Sequence, residues 1–158
     1  ITCRDWSSDV CSSDLMVGES VSPMMIKIAN ILGALAPNLP TMQLDGSTVS
    51  RLPEVVEHYD RDPLNFRGKL PARTAVELNR ATQSIQANLS NINLPILIMH
   101  GTEDKLVNPA GSKMVYEKIS SKDKTLKLYE GLYHEILNEP EKEQVLDDMI
   151  AWMEAHLG

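Results

Sequence analysis

The chain has 158 residues, 42% of them hydrophobic, and a formal net charge of -7 at pH 7. A phosphate backbone requires a basic protein face, and this acidic chain contains no basic run, so we exclude nucleic acid as a partner. A transmembrane helix requires roughly 18 to 20 uninterrupted apolar residues, and no stretch of the sequence approaches that length.

The first fifteen residues do not fit a folded domain. The tripeptide Ser-Ser-Asp at residues 7–9 recurs at residues 12–14, with no helical or strand period around it. The segment resembles the conceptual translation of a sequencing adapter, and a disordered polar leader would have the same composition. Either interpretation places residues 1–15 outside the fold. Both cysteines, Cys3 and Cys11, lie there, so they indicate no redox compartment for the remainder.

Residues 16–92 are predicted to form a helical cap or lid region. Ser22 and Pro23 can begin a helix over Met24 to Ala36, which ends before Pro37. Apolar side chains cover most of this helix, so it is either buried against other protein or a lid that offers apolar surface to a lipid. The candidate substrate contacts on such a lid are Met24, Met25, Ile28, Ile31, Leu32 and Leu35.

The remainder of this region is predicted to be loop and helix. Val49 to Tyr59 and Ala72 to Ser90 have modest helical periodicity, and turn signals separate them. We find no convincing strand between Gly18 and Asn93. His58 and Arg67 lie in this part of the chain, where we expect surface or hinge contacts from them rather than catalysis.

Residues 93–158 alternate between strand and helix. The predicted strands are Leu94 to His100 and Thr125 to Tyr129. A helix from Asn108 to Ile119 lies between them, and a last amphipathic helix covers Glu141 to Leu157. This order predicts an α/β fold with two adjacent parallel strands and crossover helices. Chemistry in such sheets lies beyond the carboxyl ends of the strands.

One acidic and one basic side chain follow the two predicted strands. Asp104 comes after the first strand and His134 after the second, in the chain order of the acid and the base of a Ser-Asp-His triad. A carboxylate that accepts one ring N–H of a histidine fixes its tautomer and stabilises the imidazolium. Three alternatives stay open. Asp104 can simply cap a turn, Glu103 can supply the carboxylate, and His134 can bond to backbone. The histidine spacing fits no metal site, and we predict no cofactor.

Two stretches carry a resemblance to a known family. Leu94-Pro-Ile-Leu-Ile-Met-His-Gly-Thr-Glu-Asp104 and the run from Ser121 to His134 resemble the C-terminal part of the monoacylglycerol lipase and lysophospholipase group of α/β-hydrolases. That group is related to the serine aminopeptidase-like hydrolases, and residues 37–40 and 60–63 also resemble its cap. The resemblance implies the C-terminal part of an α/β-hydrolase fold, with Asp104 as triad acid and His134 as base. It further implies ester hydrolysis through an acyl-serine and an apolar cap that admits a fatty acyl chain.

The sequence departs from this family at the nucleophile. It contains no Gly-x-Ser-x-Gly motif, and the segment around Ser20 comes nearest but ends in serine instead of glycine. We therefore expect the nucleophile to be missing from this chain, which would be a C-terminal fragment and inactive alone. A non-catalytic binding protein on the same scaffold is the alternative, as is a peptidase, epoxide hydrolase or haloalkane hydrolase.

The expected partner is a small lipid ester, with transient contact of the cap with a membrane surface. The first residues lack the basic and then apolar layout of a signal peptide. A cytoplasmic or a peripheral membrane location fits this pattern, and the sequence does not indicate an oligomeric state.

Overall fold

The computed structural model describes residues 31–156. Residues 31–35 are helical. The elements that follow are α1 (Pro53–Arg61), α2 (Ala72–Asn88), β1 (Ile96–Gly101), α3 (Ala110–Lys118), β2 (Lys124–Tyr129) and α4 (Lys142–His156). The predicted order of strand, helix, strand and helix in the second half is confirmed. The leader of residues 1–15, Ser20, and the lid candidates Met24, Met25 and Ile28 lie outside the described residues.

Strands β1 and β2 are parallel neighbours, as predicted. Their register pairs Ile96 with Lys124 and Gly101 with Tyr129. Strand β1 begins two residues later than predicted because Pro95 has no N–H to give to a ladder. The hydrogen bonding between the two strands begins with the Ile96 N–H, which donates to the carbonyl of Asp123 at 3.0 Å.

Helices cover both faces of this strand pair. Neighbouring side chains of a strand point to opposite faces, and those of Ile98 and Met99 therefore enter different apolar clusters. On one face Ile98 packs with residues of α3 and of the turn that follows α2, and on the other face Met99 packs against α4. The buried members of the first cluster are Leu89, Ile98, Val115 and Ile119. Those of the second are Met99, Tyr129, Leu132, Ile136 and Val145.

The predicted helix from Val49 to Tyr59 begins at Pro53 instead, so its predicted start was wrong. Leu52 is extended, and the backbone before it bonds to a distant loop. The carbonyl of Val49 accepts the Glu135 N–H at 2.8 Å, and the Ser50 hydroxyl donates to the carbonyl of Asn138 at 2.9 Å. The first bond occupies a backbone carbonyl that a helix would have needed for its own ladder, and the second holds the extended segment in place.

The first half of the described chain contains an isolated bridge between Pro40 and Pro71 and no strand. The helical residues 31–35 approach α2 at Gly33, where a Cβ atom would lie 3.0 Å from Cγ2 of Val76. Within residues 31–156, no helix combines the length and the apolar character needed to cross a bilayer.

Candidate active site

The loops that follow β1 and β2 are bonded to each other at the carboxyl end of the sheet. The Thr102 N–H donates to the carbonyl of Tyr129 at 2.9 Å, and the Glu103 N–H donates to the carbonyl of Leu132 at 3.0 Å. The Gly131 N–H donates to the Thr102 hydroxyl oxygen at 2.9 Å. This cross-bonding fixes the position of each loop relative to the other.

The close approach of the two loops requires a glycine at position 101. A Cβ atom on Gly101 would lie 2.3 Å from the carbonyl oxygen of Leu132 and 2.4 Å from that of Tyr133. Both obstacles are backbone atoms, so no side-chain movement can relieve the clash. On the other loop, Gly131 has a φ of 77°, the left-handed conformation that glycine adopts without steric cost.

Asp104 and His134 meet between these loops. Oδ2 of Asp104 and Nδ1 of His134 are 2.9 Å apart. The Asp104 side chain is 1% exposed, whereas that of His134 is 26% exposed and so reaches the protein surface. Glu103, the alternative carboxylate, is exposed. Asp104 also caps its own turn, because its Oδ1 accepts the N–H groups of Leu106 and Val107 at 2.8 and 2.9 Å.

The Asp104 carboxyl is held in its ionised form. Burial by itself would raise its pKa, but hydrogen bonds from His100 and His134 and from the Val107 N–H outweigh burial and bring the pKa well below its usual range. An ionised carboxylate only accepts hydrogen bonds, so the His134 nitrogen that faces it carries a hydrogen. The neutral His134 ring is therefore the Nδ1–H tautomer, with the Nε2 lone pair as its basic position.

The structure places a second histidine on this carboxylate that sequence reasoning missed. Nε2 of His100 lies 3.0 Å from Oδ2 of Asp104, the same oxygen that His134 contacts. His100 is the penultimate residue of β1 and precedes Asp104 by four residues. Outside a helix that spacing gives no signal of contact, and the apolar neighbours of His100 indicate only a buried strand.

The remaining candidates lie away from this pair. Ile31, Leu32 and Leu35 are 57%, 39% and 80% exposed, so their apolar side chains face outward in the described chain. His58 is exposed on α1. Arg67 donates to the backbone carbonyls of Asp60 and Asp62 and so holds a surface loop, in keeping with the structural contact expected of it.

Comparison with known proteins supports the fold and the family. The family model for serine aminopeptidase, S33, matches residues 4–141. A monoacylglycerol lipase of Mycolicibacterium smegmatis is 44% identical over 139 residues, which cover 88% of this chain and 50% of that protein. The human monoglyceride lipase is 34% identical over 116 residues, which cover 73% of this chain and 38% of that protein.

Solved structures show the same architecture. The crystal structure of Paleococcus ferrophilus monoacylglycerol lipase superimposes with a TM-score of 0.76 at 27% identity and covers 94% of this chain and 56% of that one. A soluble variant of the Saccharomyces cerevisiae monoglyceride lipase gives a TM-score of 0.68 at 25% identity over 85% of this chain and 50% of that one. The chain spans about half the length of these relatives, and it belongs to the serine aminopeptidase S33 family of α/β-hydrolases.

Proposed function

We propose that this chain carries the acid and base of a carboxylic ester hydrolase of the monoacylglycerol lipase type. The observation that supports this most directly is the 2.9 Å contact between the buried Asp104 carboxylate and the partly exposed His134 ring. In this proposal His134 accepts the proton of a serine hydroxyl as that serine attacks the ester carbonyl. It then returns the proton to the leaving alcohol, and Asp104 stabilises the imidazolium between the two steps.

The nucleophile and the oxyanion donors belong to another segment in this proposal. The chain has no Gly-x-Ser-x-Gly motif, the turn that presents the serine in this class of hydrolases. In the absence of a nucleophile the acid and base have no reacting group to deprotonate. The 158-residue chain alone is therefore expected to hydrolyse no ester, and the activity belongs to a larger protein.

A lipid ester is the substrate class that the relatives and the cap region together favour. Several relatives that match most of this chain are named monoacylglycerol or monoglyceride lipases. The side chains of Ile31, Leu32 and Leu35 together expose apolar surface on one short helical segment. Exposed apolar patches of this kind are typical of surfaces that bind a ligand or a membrane. We propose that these residues, with Met24, Met25 and Ile28, contact the acyl chain or a membrane surface that supplies it.

A chimera tests the acid and base roles. The 139 aligned residues of the Mycolicibacterium smegmatis relative would be replaced by the residues of this chain, and hydrolysis of a long-chain monoacylglycerol would be measured. We expect the chimera to hydrolyse this ester and Asp104→Asn or His134→Gln to lower kcat by about 10⁴-fold. His58→Gln, on an exposed histidine, is the matched control.

The function is refuted if the chimera folds and both variants hydrolyse the ester as fast as the unchanged chimera. A folded chimera that binds the monoacylglycerol but hydrolyses none of it would favour the non-catalytic alternative.

Labelling of the 158-residue chain with a fluorophosphonate probe tests the position of the nucleophile. We expect no labelled serine, because activation needs a serine held against the histidine in an oxyanion site. Ser20→Ala is the matched variant, since Ser20 lies in the sequence nearest to the missing motif. Labelling that disappears in this variant would place the nucleophile inside the chain.

A further inference from the structure

Both ring nitrogens of His100 lie within hydrogen-bond distance of a buried side chain, one of which is Asp104. Its Nε2 atom is 3.0 Å from Oδ2 of Asp104, and its Nδ1 atom is 2.6 Å from the hydroxyl oxygen of Ser112. The His100 side chain is 3% exposed and Ser112 is fully buried. His100 and Ile98, two residues apart on β1, both face α3, and α3 supplies Ser112.

The Asp104 carboxylate determines which nitrogen of His100 carries a hydrogen, and the Ser112 hydroxyl group, which can donate or accept, adapts to it. An ionised carboxylate has no hydrogen to donate, so the Nε2 atom that faces Asp104 carries the ring hydrogen. The hydroxyl group of Ser112 can then donate to the unprotonated Nδ1 atom. This arrangement leaves the buried ring neutral, which avoids the cost of a second buried cation beside His134 when that ring becomes charged.

We propose that His100 is a positioning residue for the acid and base pair. Its Nε2–H group, held in place by the bond between Nδ1 and Ser112, fixes the Asp104 carboxylate in the orientation that His134 requires. This inference rests on the proposed function and names a residue that acts only through Asp104. Oδ1 is held by two backbone N–H groups and Oδ2 by two ring N–H groups, so every acceptor direction of the carboxylate is used.

The geometry explains why a histidine performs this role. Rotation of the carboxylate about its bond to Cβ would break contacts at both oxygens, and the bond from His100 adds to the resistance against that rotation. The neutral His100 ring restrains the carboxylate without adding a permanent positive charge beside it. The negative charge of Asp104 therefore stays available to the imidazolium that forms on His134 during the reaction.

Histidine NMR of the 158-residue chain provides the test. In the unchanged chain we expect His100 to carry hydrogen on Nε2 alone and neutral His134 to carry it on Nδ1. His100→Leu removes the donor with an apolar side chain, and we expect the His134 ring N–H to exchange with water at least about tenfold faster, since the bond to Asp104 is weakened. His100→Gln places an amide N–H where Nε2 lies and should restore slow exchange. His58→Gln is the matched control.

Several outcomes would overturn the proposal. One is a hydrogen on Nδ1 of His100 in the unchanged chain, and a second is a set of histidine spectra typical of an unfolded chain. A third is His134 exchange in His100→Leu that equals that of His58→Gln. If His100→Leu does not fold, Ser112→Ala decides, because the His100 ring loses the bond that holds its Nδ1 side and we expect His134 exchange to become faster. Unchanged His134 exchange in Ser112→Ala would contradict the proposal that Ser112 holds His100 in position.

The spectra and the hydrolysis assays test the positioning role and the proposed function separately. Expected spectra in this chain together with an inactive, folded chimera would count against the proposed function and leave the hydrogen-bond arrangement intact. An active chimera with spectra that show no dependence of His134 on His100 would count against the positioning role alone.

Discussion

Asp104 and Glu139 are both buried carboxylates, yet their charges are balanced in different ways. Asp104 accepts hydrogen bonds from two histidine rings and two backbone N–H groups. Glu139 is fully buried and accepts the backbone N–H of Arg51 at 2.8 Å and its Nε at 2.5 Å. One carboxylate therefore has dipolar donors, and the other has a permanent cation.

In the proposed function this difference separates a functional carboxylate, Asp104, from a structural one, Glu139. The hydrogen bond with Glu139 is the main cause that raises the pKa of Arg51, so the guanidinium of Arg51 stays charged. The permanent positive charge of Arg51 balances the negative charge of Glu139. The pair therefore attracts a new positive charge nearby only weakly. Among residues 31–156 no Lys or Arg side chain pairs with Asp104, and in the proposed mechanism its field acts on His134 when that ring gains a proton.

Glu139 nevertheless contributes to the position of His134. It ends the loop that follows His134 and binds that loop to the segment before α1 through Arg51. The bonds from Ser50 to Asn138 and from Glu135 to Val49 join the same two segments. We infer that Glu139 determines where the His134 loop lies and that Asp104 determines how the His134 ring is oriented.

The largest expected effect separates the two carboxylates by activity. In the chimera, Asp104→Asn should lower kcat by about 10⁴-fold, because the amide cannot stabilise the imidazolium and favours the wrong tautomer. Glu139→Gln should lower kcat by less than about tenfold, since the substituted group lies in the scaffold. Steady-state hydrolysis of a monoacylglycerol measures both. Equal losses of kcat in the two variants would contradict the distinction between a functional Asp104 and a structural Glu139.

The next effect concerns the contact that brings the loops together. Gly101→Ala places a methyl group against the carbonyl oxygens of Leu132 and Tyr133, and we expect unfolding free energy to fall by about 3 kcal/mol. The His134 ring N–H should also lose its slow exchange, because its loop must move. Gly131→Ala, which meets no such clash but has positive φ, should cost about 1 kcal/mol. Urea unfolding measures both variants, and equal losses would contradict the steric argument.

A smaller effect tests Glu139 as a structural group. Glu139→Gln should lower the unfolding free energy by about 2 kcal/mol, because a partly exposed Arg51 loses its charged partner inside a buried site. Asp148→Asn is the control. Asp148 is more exposed, contacts Lys127 and the Tyr129 hydroxyl, and should change stability by less than about 1 kcal/mol. A Glu139 effect no larger than that of Asp148 would show that the buried pair does not stabilise the fold.

The smallest effect is a pH dependence specific to Asp104. Its pKa is lower in the folded chain than in the unfolded chain, so its stabilising contribution is fully present above the unfolded pKa and is lost as pH falls. We expect the unchanged chain to lose about 1 kcal/mol relative to Asp104→Asn between about pH 5 and pH 3. Urea unfolding at a series of pH values measures this difference. A difference that stays constant over that interval would mean that the Asp104 carboxyl is not preferentially ionised in the folded chain.

Much of the second half of the fold was determined by the sequence. The uncharged run before Gly101 and the alternating run before Glu130 predicted two strands, and the intervening Asn108-Pro109 signal predicted a helix. These are local patterns of hydrophobicity and turn chemistry, which depend on neighbouring residues alone. They also indicated which side chains follow the strand ends, and so drew attention to Asp104 and His134.

Tertiary structure decided the features that depend on residues far apart in the chain. The start of α1 was mispredicted because Ser50 and Arg51 bond to residues near 138, and no local pattern records that pairing. His100 was missed for the same reason, since only the folded strand brings its ring to the oxygen that His134 also contacts. Buried polar groups must find donors and acceptors wherever the fold provides them. The sequence therefore indicated Asp104 and His134 as candidates for the acid and the base, and the fold supplied the hydrogen bonds that hold them.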